Sequence, residues 1–376
     1  MRRLRLGMVG GGQGAFIGGV HRIASRIDDR WDLVAGALSS TPEKSLESAL
    51  ELGLDPTRSY GDFREMAKAE AARPDGIDAV SIVTPNHMHA DPIIVFLEAG
   101  IHVICDKPLC STPSDAEKIK AAVEASDAMF FLTHNYTGYP LIRQARALIA
   151  QGGIGEVRVV QAEYAQGWLA KEIEAEGQKQ ASWRTDPAKS GAGGAIGDIG
   201  THAFNLIEFV TGQQVTALCA DLQSFGSGRT LDDNAHIILK MGDVARGMIW
   251  ASQVAVGCEN GLRLRIYGTK GGLEWAQENP NEMVFTQVDA PKQILTRGGP
   301  GLPVGSDNWT RIPPGHPEGY LEGFATLYDD IADVIGSGTT DHCVPGIKEG
   351  QRGMWFIDAA ARSAQQDGIW VGSRNA

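Results

Sequence analysis

The chain has 376 residues, of which 43% are hydrophobic and 21% are charged, and its formal net charge is −12. This length predicts two domains at roughly 100–200 residues each, and the negative charge argues against a nucleic-acid partner. The five cysteines form no CxxC pair, and no apolar run approaches the roughly 18 residues of a membrane span. We therefore expect a cytoplasmic protein with reduced cysteines and no membrane contact.

The first 150 residues alternate short apolar runs with helical stretches. Strands are predicted at residues 4–9, 33–38, 79–84, 102–105 and 129–132. Helices are predicted at residues 15–27, 42–52, 89–99, 114–125 and 139–150, with Thr41 as an N-cap and a capping box formed by Ser114 and Glu117. This alternation is typical of βαβ units, so we expect a Rossmann domain with a doubly wound parallel sheet over residues 1–135.

After about residue 155, strands follow one another with few helices between them. Strands are predicted at residues 157–164, 217–222, 236–240, 247–252 and 262–267. Helices are predicted at residues 195–211, 318–335 and 348–365, and the Gly/Pro-rich stretch 291–317 is predicted to be a long loop. The fold class is thus α/β, with a second, α+β domain over residues 136–376 whose large open sheet is mostly antiparallel. Whether the last helices pack back on the first domain stays open.

A glycine-rich loop, residues 10–15 with the sequence GGGQGA, joins the first predicted strand to the first predicted helix. The loop fits the pattern GxGxxA. In this pattern Gly10 makes the tight turn, Gly12 lets a pyrophosphate approach the backbone closely, and Ala15 allows the helix to pack closely on the strand. The start of the helix adds free N–H groups that favour phosphate. The residues expected to contact a dinucleotide here are Gly10, Gly12, Gln13, Gly14, Ala15 and Phe16. The alternative is a tight turn without a ligand.

The end of the second predicted strand bears on the choice between NAD and NADP. An NAD-binding domain usually carries Asp or Glu at this place, but here the chain has Ser39 and Ser40, with Lys44 on the following helix. Hydroxyls and a nearby cation suit a 2′-phosphate, and the alternative is that these side chains only cap the helix. Both cofactors therefore remain candidates.

Two further segments follow predicted parallel strands at the edge where ligands bind. Thr84, Pro85, Asn86 and His89 are expected to contact the cofactor through backbone and amide groups, although His87 and His89 together also suit a metal ion. We predict no metal.

The second of these segments is Asp106-Lys107-Pro108. The proline restricts the residue before it, so Lys107 is held in one direction and can polarise a substrate hydroxyl. A surface lysine is the alternative. Asp106, Lys107 and Asn135, which follow strands at the same edge, are added to the predicted cofactor contacts.

Asp198 and His202 lie four residues apart at the start of the predicted helix 195–211 and therefore share one helix face. A carboxylate beside an imidazole forms a proton relay or a substrate clamp. The alternatives are a pair of metal ligands and a structural role in capping the helix.

The combination of these motifs resembles the Gfo/Idh/MocA family, which includes glucose–fructose oxidoreductase and inositol dehydrogenase, over essentially the whole chain. The resemblance rests on the glycine loop, on Asp106-Lys107-Pro108 and on Asp198-x-x-x-His202. Residues 183–184 with the glycines of 191–194, and residues 267–271, also match family segments. Asp106 departs from the pattern, because the family usually has Glu there.

The resemblance implies an NAD(P)-dependent enzyme that transfers a hydride between nicotinamide and a hydroxyl-bearing carbon of a sugar or polyol. It implies that Lys107, Asp198 and His202 surround that carbon, and that the large sheet supports a homodimer or homotetramer. His202 is then the expected base, since an unperturbed imidazole pKa of about 6.5 suits that task. Lys107 would hold the developing alkoxide, and Asp198 would bind the hydroxyl or share its proton.

Other residues are expected to line the substrate site. Trp183 and Arg184 are candidates because aromatic faces suit sugars, with core packing as the alternative for Trp183. His316 and Glu318 are candidates for further polar contacts.

Two other functions use the same motifs. A redox-neutral glycosidase also begins by oxidising a sugar carbon, then eliminates the glycosidic group and returns the hydride. A non-catalytic dinucleotide sensor would have the fold but would lack the lysine or the histidine, and this chain has both Lys107 and His202. The motifs therefore favour a dehydrogenase or reductase.

Overall fold

A computed structural model describes residues 2–300, 309–339 and 343–373 of the chain. The described residues divide into two compact units. The first unit comprises Met1–Asn135 and Tyr320–Met354, and the second comprises Tyr136–Gly319 and Trp355–Ala376. Within the described ranges, no helix combines the length and the apolar composition that a membrane crossing requires.

A parallel sheet forms the centre of the first unit, as the alternating pattern predicted. Its described strands are β1 (Leu4–Gly10), β2 (Trp31–Ala37), β3 (Ala79–Val83), β4 (His102–Asp106) and β5 (Phe130–Thr133). They lie in the order β2-β1-β3-β4-β5, and every register is parallel. Since β3 is buried along its whole length, it appears in the sequence as a nearly continuous apolar run.

Helices connect these strands, and one of them escaped prediction. They are α1 (Phe16–Ile27), α2 (Pro42–Glu51), α3 (Phe63–Ala72), α4 (Ala90–Glu98) and α5 (Pro113–Ala125). The unpredicted helix is α3, in which Met66 and Ala67 are the buried apolar residues, so its apolar stripe is too narrow to show a period. Its start was nevertheless marked, because the Asp62 carboxylate accepts the N–H groups of Arg64 and Glu65.

One predicted helix cap is confirmed in position and the other is wrong. At α5 the cap is Thr112, whose hydroxyl accepts the N–H of Asp115 at 3.1 Å, so the capping box placed at Ser114 and Glu117 lies two residues too late. At α2, Thr41 has the backbone position of the cap but makes no side-chain capping bond. Proline at the first helical position favours both helix starts.

A mixed sheet dominates the second unit. Its described strands are β6 (Val157–Ala165), β7 (Val215–Gln223), β8 (Asn234–Met241), β9 (Ala245–Ser252), β10 (Gly261–Gly268), β11 (Gly271–Ala276), β12 (Glu282–Gln287), β13 (Gln293–Thr296) and β14 (Val371–Gly372). They lie in the order β13-β12-β11-β10-β6-β9-β8-β7-β14. The pair β6–β9 is parallel and the other described pairs are antiparallel, which confirms the predicted sheet type.

The predicted loop 291–317 is wrong in part, because β13 lies inside it and pairs with β12. β13 is an edge strand with an exposed burial pattern, so it leaves no alternation of apolar and polar residues in the sequence. Residues 301–308 of that stretch lie outside the described ranges.

The helices of the second unit carry candidate residues. They are α6 (Pro140–Ala150), α7 (Lys179–Arg184), α8 (Pro187–Ser190) and α9 (Thr201–Thr211). A π-helical turn, Ile196–Gly200, leads directly into α9, so the helix predicted at 195–211 changes its winding inside the Asp198–His202 motif. π-Helical turns often mark functional positions.

The last two helices are α10 (Tyr320–Ser337) and α11 (Ile347–Gln365). In the first unit, α10 packs on α1 and β2, where the Trp31 indole N–H donates to the Tyr328 carbonyl oxygen at 2.9 Å. The residues of α10 in this core include Phe324, Leu327 and Ile331. Helix α11 includes residues of both units.

Candidate functional site

The glycine loop of the first unit has a backbone that glycine alone adopts easily. Gly10, Gly11 and Gly14 have φ angles of +79°, +74° and +72°. A Cβ built on Gly14 would meet no described atom within 4 Å, so that position faces open space. The loop therefore has both the turn and the access that a bound phosphate requires.

Gly12 lies against the protein itself. Its N–H donates to the Leu38 carbonyl oxygen at 3.1 Å, and a Cβ there would lie 2.7 Å from that oxygen and from Ser48 Oγ. Close packing between loop and helix, which we assigned to Ala15, occurs instead at Gly18, where a Cβ would lie 2.4 Å from Gly11 Cα. Gly18 was missed because it lies one turn beyond the motif.

The start of α1 presents donors to a ligand. Ala15 is the N-cap residue, no side chain of the described residues caps the helix, and the first turn contains no acid. Phe16, the first helical residue, is exposed. Gln13 is tied to α2, since its N–H donates to Ser48 Oγ at 3.2 Å and its side-chain amide donates to Glu51 at 2.8 Å. An anion at this end would meet free N–H groups and the positive end of the helix dipole.

Side chains at the end of β2 leave the proposed ribose region accessible. Ser40 and Lys44 are exposed and Ser39 is half-buried. The hydroxyl that ties down this strand end is Ser45, which accepts the Leu38 N–H at 2.9 Å and donates to the Tyr60 carbonyl oxygen at 2.7 Å. Ser39, Ser40 and Lys44 are therefore not needed to hold the end of β2 in place.

The segment after β3 contains a histidine committed to the protein. His89 is fully buried, with Nδ1 2.9 Å from the Pro108 carbonyl oxygen and Nε2 2.8 Å from the Thr84 carbonyl oxygen. Burial lowers its pKa, and the two ring nitrogens brace the segments that follow β3 and β4. Among the described residues, no three His, Cys, Asp or Glu side chains are grouped to hold a metal ion.

The other predicted contacts of this segment differ in accessibility. Asn86 is buried, whereas Thr84 and Pro85 are half-buried. The Thr84 hydroxyl donates to the Met88 carbonyl oxygen at 3.2 Å. A ligand at this edge would therefore meet mainly the half-buried pair.

Asp106, at the end of β4, belongs to a buried polar network that sequence analysis missed. Its Oδ1 accepts the Thr133 hydroxyl at 3.0 Å and lies 3.6 Å from His21 Nε2. On the other side of that ring, His21 Nδ1 lies 2.8 Å from the Tyr328 hydroxyl. Burial opposes ionisation of Asp106, but its contacts with His21 and the charge of Lys107 outweigh burial and lower its pKa. The shorter Asp side chain is thus an ionised, anchored group next to Lys107.

Asn135 offers a polar atom to a ligand. It is 1% exposed, and its Nδ2 has no hydrogen-bond partner among the described residues. Leaving such a donor unpaired costs about 1–3 kcal/mol. A bound group that accepts from this amide would remove that cost. The neighbouring His134 is buried, and burial with the nearby Lys107 charge lowers its pKa to about 3.

In the second unit, Asp198 is held by two donors. Its Oδ2 accepts Arg184 Nε at 3.1 Å and Gln253 Nε2 at 2.8 Å. The Arg184 guanidinium lies 4.3 Å from the centre of the Trp183 ring, and the Trp183 indole N–H donates to Gln180 at 3.2 Å. Trp183 is half-buried. The predicted residues 183, 184 and 198 therefore form one contiguous group.

His202 lies one helical turn beyond Asp198 and packs against two tyrosines. Its ring centre lies 4.9 Å from that of Tyr136, edge to face, and 6.0 Å from that of Tyr164. Asn260 joins the two phenols, accepting the Tyr164 hydroxyl at 2.8 Å and donating to Tyr136 at 3.4 Å. Burial raises the pKa of Tyr136, so it remains a phenol. These residues and Gln253 lacked any sequence signal, because distant segments bring them together.

The remaining candidates differ in exposure. His316 is exposed, whereas Glu318 is buried and lies 3.2 Å from Arg297 Nη1. Glu318 also accepts the N–H groups of Arg311 and Ile312. Its carboxylate thus holds the 309–318 segment, and the substrate contact expected from Glu318 stays a prediction.

Comparisons with known proteins match both halves of the chain. Residues 4–134 match the model of an oxidoreductase family with an NAD-binding Rossmann fold, and residues 142–274 match the GFO/IDH/MocA C-terminal domain. An oxidoreductase of Bacillus subtilis is 36% identical, over 98% of this chain and 96% of the relative. Two crystal structures are similar over 99% of this chain. An oxidoreductase from Sinorhizobium meliloti, covered over its full length, has 54% identity and a TM-score of 0.90. An inositol dehydrogenase homolog from Azotobacter vinelandii, complexed with NADH and myo-inositol and 98% covered, has 37% identity and a TM-score of 0.92.

Proposed function

The chain belongs to the Gfo/Idh/MocA family of NAD-binding oxidoreductases, and from this membership we propose that it is a dehydrogenase of a polyol or sugar. The observation that carries the proposal is the polar group around Asp198 and His202 in the second unit. It combines a carboxylate held by two donors, an imidazole and an aromatic face, which together suit a ligand with several hydroxyls. The similarity to a protein that binds myo-inositol supports a cyclic polyol as the first substrate to test.

The cofactor fits the first unit. The positive φ angles of the glycine loop, the uncapped start of α1 and the buried amide of Asn135 are the features expected where a dinucleotide binds. Gly10, Gly12, Gln13, Gly14, Ala15 and Phe16 would hold the phosphates, and Ser39, Ser40 and Lys44 would contact the ribose. Thr84, Pro85, Asn86, Asp106 and Asn135 would contact the nicotinamide half, with His89 acting through the backbone it braces. When bound, the nicotinamide supplies the carbon that accepts the hydride.

The catalytic roles follow the family motifs. His202 takes the proton of the substrate hydroxyl as the C–H bond is oxidised. Asp198, kept in place by Arg184 and Gln253, binds that hydroxyl or shares its proton. Lys107 stabilises the alkoxide as charge develops on the oxygen, and the anchored carboxylate of Asp106 precedes it in the chain. Trp183, Arg184 and His316 complete the proposed substrate contacts.

The test is a spectrophotometric screen at about 340 nm, where NADH and NADPH absorb, with myo-inositol, other polyols, aldoses and glycosides. We expect at least one polyol or aldose to generate reduced cofactor in proportion to product. Glycoside cleavage with no accumulation of reduced cofactor would replace the dehydrogenase with the redox-neutral glycosidase. Absence of turnover with every substrate class, while the protein still binds NAD, would contradict the proposal.

The proposed assembly is a homodimer or homotetramer formed through the large sheet. Ile238 and Met248 are cross-strand partners on one face and are 52% and 37% exposed. Val159 and Tyr267, paired across β6 and β10, are also exposed. A second copy of this chain would cover these apolar side chains. Sedimentation should show that the wild type is an oligomer and that Ile238→Glu is a monomer. A monomeric wild type would contradict the proposed assembly.

We also place the enzyme in the cytoplasm. None of the five cysteines, all of which the structure describes, forms a disulfide, which suits a reducing compartment. Cell fractionation of the source organism tests this, and recovery outside the cytoplasm would contradict it.

A further inference from the structure

Two consecutive aspartates, Asp232 and Asp233, lie between β7 and β8 and bind different segments. Asp232 holds the start of the π-helical turn. Its two carboxylate oxygens accept the N–H groups of Gly194 at 2.7 Å and Ile196 at 2.8 Å, and its carbonyl oxygen accepts the Ala195 N–H at 2.8 Å. This fixes the backbone two residues before Asp198.

Asp233 holds the other segment through Arg229. The Arg229 guanidinium lies 3.0 Å from Asp233 and binds both oxygens of Glu174, at 2.7 and 3.1 Å. It also donates to the Lys171 carbonyl oxygen at 3.1 Å. The Arg229 and Asp233 side chains are only 3% and 2% exposed. The Arg229–Glu174 pair is forked, with the Glu174 side chain 18% exposed, and two parallel N–H···O bonds of this kind are directional.

A further contact reinforces this attachment. The Ser227 N–H donates to the Glu172 carboxylate at 2.8 Å. The connection between β7 and β8 therefore binds residues 171–174 through two groups, the Arg229 guanidinium and the Ser227 N–H. Residues 171–178 lead without interruption into α7, which carries Trp183 and Arg184.

The two held segments meet at the Arg184–Asp198 contact of 3.1 Å. One segment supplies Asp198 and is held by Asp232, and the other supplies Arg184 and is held by Arg229. A single short connection thus sets the distance between the two sides of the proposed substrate group. Gln253, whose N–H donates to the Asp233 carbonyl oxygen at 2.8 Å, adds the second donor to Asp198.

We propose that Arg229 and Glu174 are positioning residues that set substrate affinity by holding α7 against Asp198. The inference rests on the proposed function, because it assigns the role of Trp183 and Arg184 to substrate binding. It adds residues that touch neither the substrate nor the cofactor. Loosening this ion pair lets Trp183 and Arg184 move, so substrate affinity falls while proton transfer at His202 continues.

The first test uses Glu174→Gln, which keeps the shape of the side chain and leaves the Arg229–Asp233 pair, so the fold should be retained. With the best polyol found, KM should rise so that kcat/KM falls about 10- to 100-fold, as displacements near 1 Å can cause, while kcat and the affinity for NAD stay unchanged. Arg229→Lys should behave likewise, and Glu174→Asp should restore part of the loss. Unchanged KM in both Glu174→Gln and Arg229→Lys would overturn the proposal.

A matched control separates positioning from general destabilisation. Arg58 and Glu70 form a buried ion pair in the first unit, so Arg58→Lys should lower the melting temperature without raising the polyol KM. In a background with both Trp183→Ala and Arg184→Ala, Glu174→Gln should add little, because the two side chains that the ion pair positions are already removed. Additive losses would instead show that Glu174 acts independently of α7 and would overturn the proposal.

Hydrogen exchange tests whether the Arg229–Glu174 pair holds α7, and it needs no substrate. If the wild type oxidises no polyol, that result contradicts the proposed function but not this structural role. In Glu174→Gln, amides of residues 179–190 should exchange faster than in the wild type, while those of β7 and β8 should not change. Unchanged exchange over 179–190 would show that the ion pair does not hold α7, whatever the enzyme's substrate.

Discussion

The hydroxyl oxygens of Tyr136 and Tyr164 lie 2.5 Å apart. Since Tyr164 donates its own proton to Asn260, Tyr136 must be the donor in this contact, and Asn260 closes the ring by donating back to Tyr136. The direction of every bond in the ring is therefore determined. The Tyr136 side chain packs on His202. The cyclic hydrogen-bond network of Tyr136, Tyr164 and Asn260 therefore also restricts the orientation of His202, the proposed base.

Tyr164→Phe should lower both stability and turnover. It leaves the Tyr136 hydroxyl without its acceptor, and a buried unpaired group costs about 1–3 kcal/mol of unfolding free energy. We expect kcat to fall while the affinity for NAD stays constant, as measured by steady-state kinetics, calorimetry and denaturant unfolding. Tyr60→Phe is the control, because it also loses a phenol hydrogen bond, to Glu70, but should keep its kcat. Normal kcat in Tyr164→Phe would separate the tyrosine pair from catalysis.

Lys107→Ala and His202→Ala should each reduce turnover and leave cofactor binding nearly intact. General acid–base catalysis typically contributes about 10²–10⁴-fold, so the loss in His202→Ala should fall in that range. The double variant should lose less than the product of the two effects, because both groups act on one proton transfer. Acid should slow the wild type by protonating the imidazole, and His202→Ala should lack that limb of the pH profile. Full activity of His202→Ala would leave Lys107 as the base.

Lys44→Glu should weaken NADP binding more than NAD binding. Lys44 is exposed on α2, and no acid stands at position 39 or 40 to repel a 2′-phosphate. Calorimetric titration of both cofactors into the two proteins measures the difference. A wild type that binds NAD and shows no NADP binding would refute this interpretation of the end of β2.

Gly18→Ala should impair both the fold of the loop and dinucleotide affinity, because the added carbon would lie 2.4 Å from Gly11 Cα. Gly19→Ala is the matched control on the same helix. There a Cβ meets only Arg22 Nη2, at 3.9 Å, so the change should stabilise the protein by about 0.4–1 kcal/mol. Thermal melts with and without NAD distinguish the two. A larger side chain at Gly12 should likewise disturb the fold as well as ligand binding, since Leu38 and Ser48 lie in its way.

Acid should destabilise the protein through its buried histidines. Burial, with the Lys107 charge, lowers the pKa of His134 from 6.5 to about 3. Below pH 6.5 this histidine is therefore protonated in the unfolded chain but stays neutral in the folded chain. The free energy of unfolding thus decreases as pH falls from 6.5 towards 3, by up to about 1.4 kcal/mol per pH unit. His89 and His102, whose pKa values burial also lowers, act in the same direction. Unfolding at pH 7, 6 and 5 should show a shallower loss in His134→Asn, and an equal slope would contradict this.

The strands and the glycine loop of the first unit were largely predictable because their signals come from residues that are close together in the sequence. A parallel strand buried on both faces appears as an apolar run, and the glycine loop appears where one strand turns into a helix. Lys107, Asp198 and His202 were proposed as site residues because they lie in short motifs whose members are close together in the sequence. In the second unit, the edge strand β13 and its neighbour β12 were missed because partly exposed strands carry little apolar pattern.

The supporting residues were not predictable, because each depends on partners far along the chain. His21 meets Asp106 across 85 positions, and Tyr164 meets Asn260 across 96. A histidine on the inner face of a helix, or a tyrosine in a strand, has no distinguishing sequence neighbours. Only the folded chain shows that such side chains surround the motif residues.

The parallel pairing of β6 with β9 has a consequence for how the second unit folds. β6 lies between β9 and β10, and its partners follow it by roughly 90 to 110 residues. Closing such long loops costs entropy before any pairing is gained, so we expect this sheet to form slowly compared with hairpins such as β8–β9. During synthesis, β6 has neither neighbour until the ribosome has passed residue 252 or beyond. Chains that stop earlier would expose an unpaired strand and should aggregate or be degraded rather than persist as a partial domain.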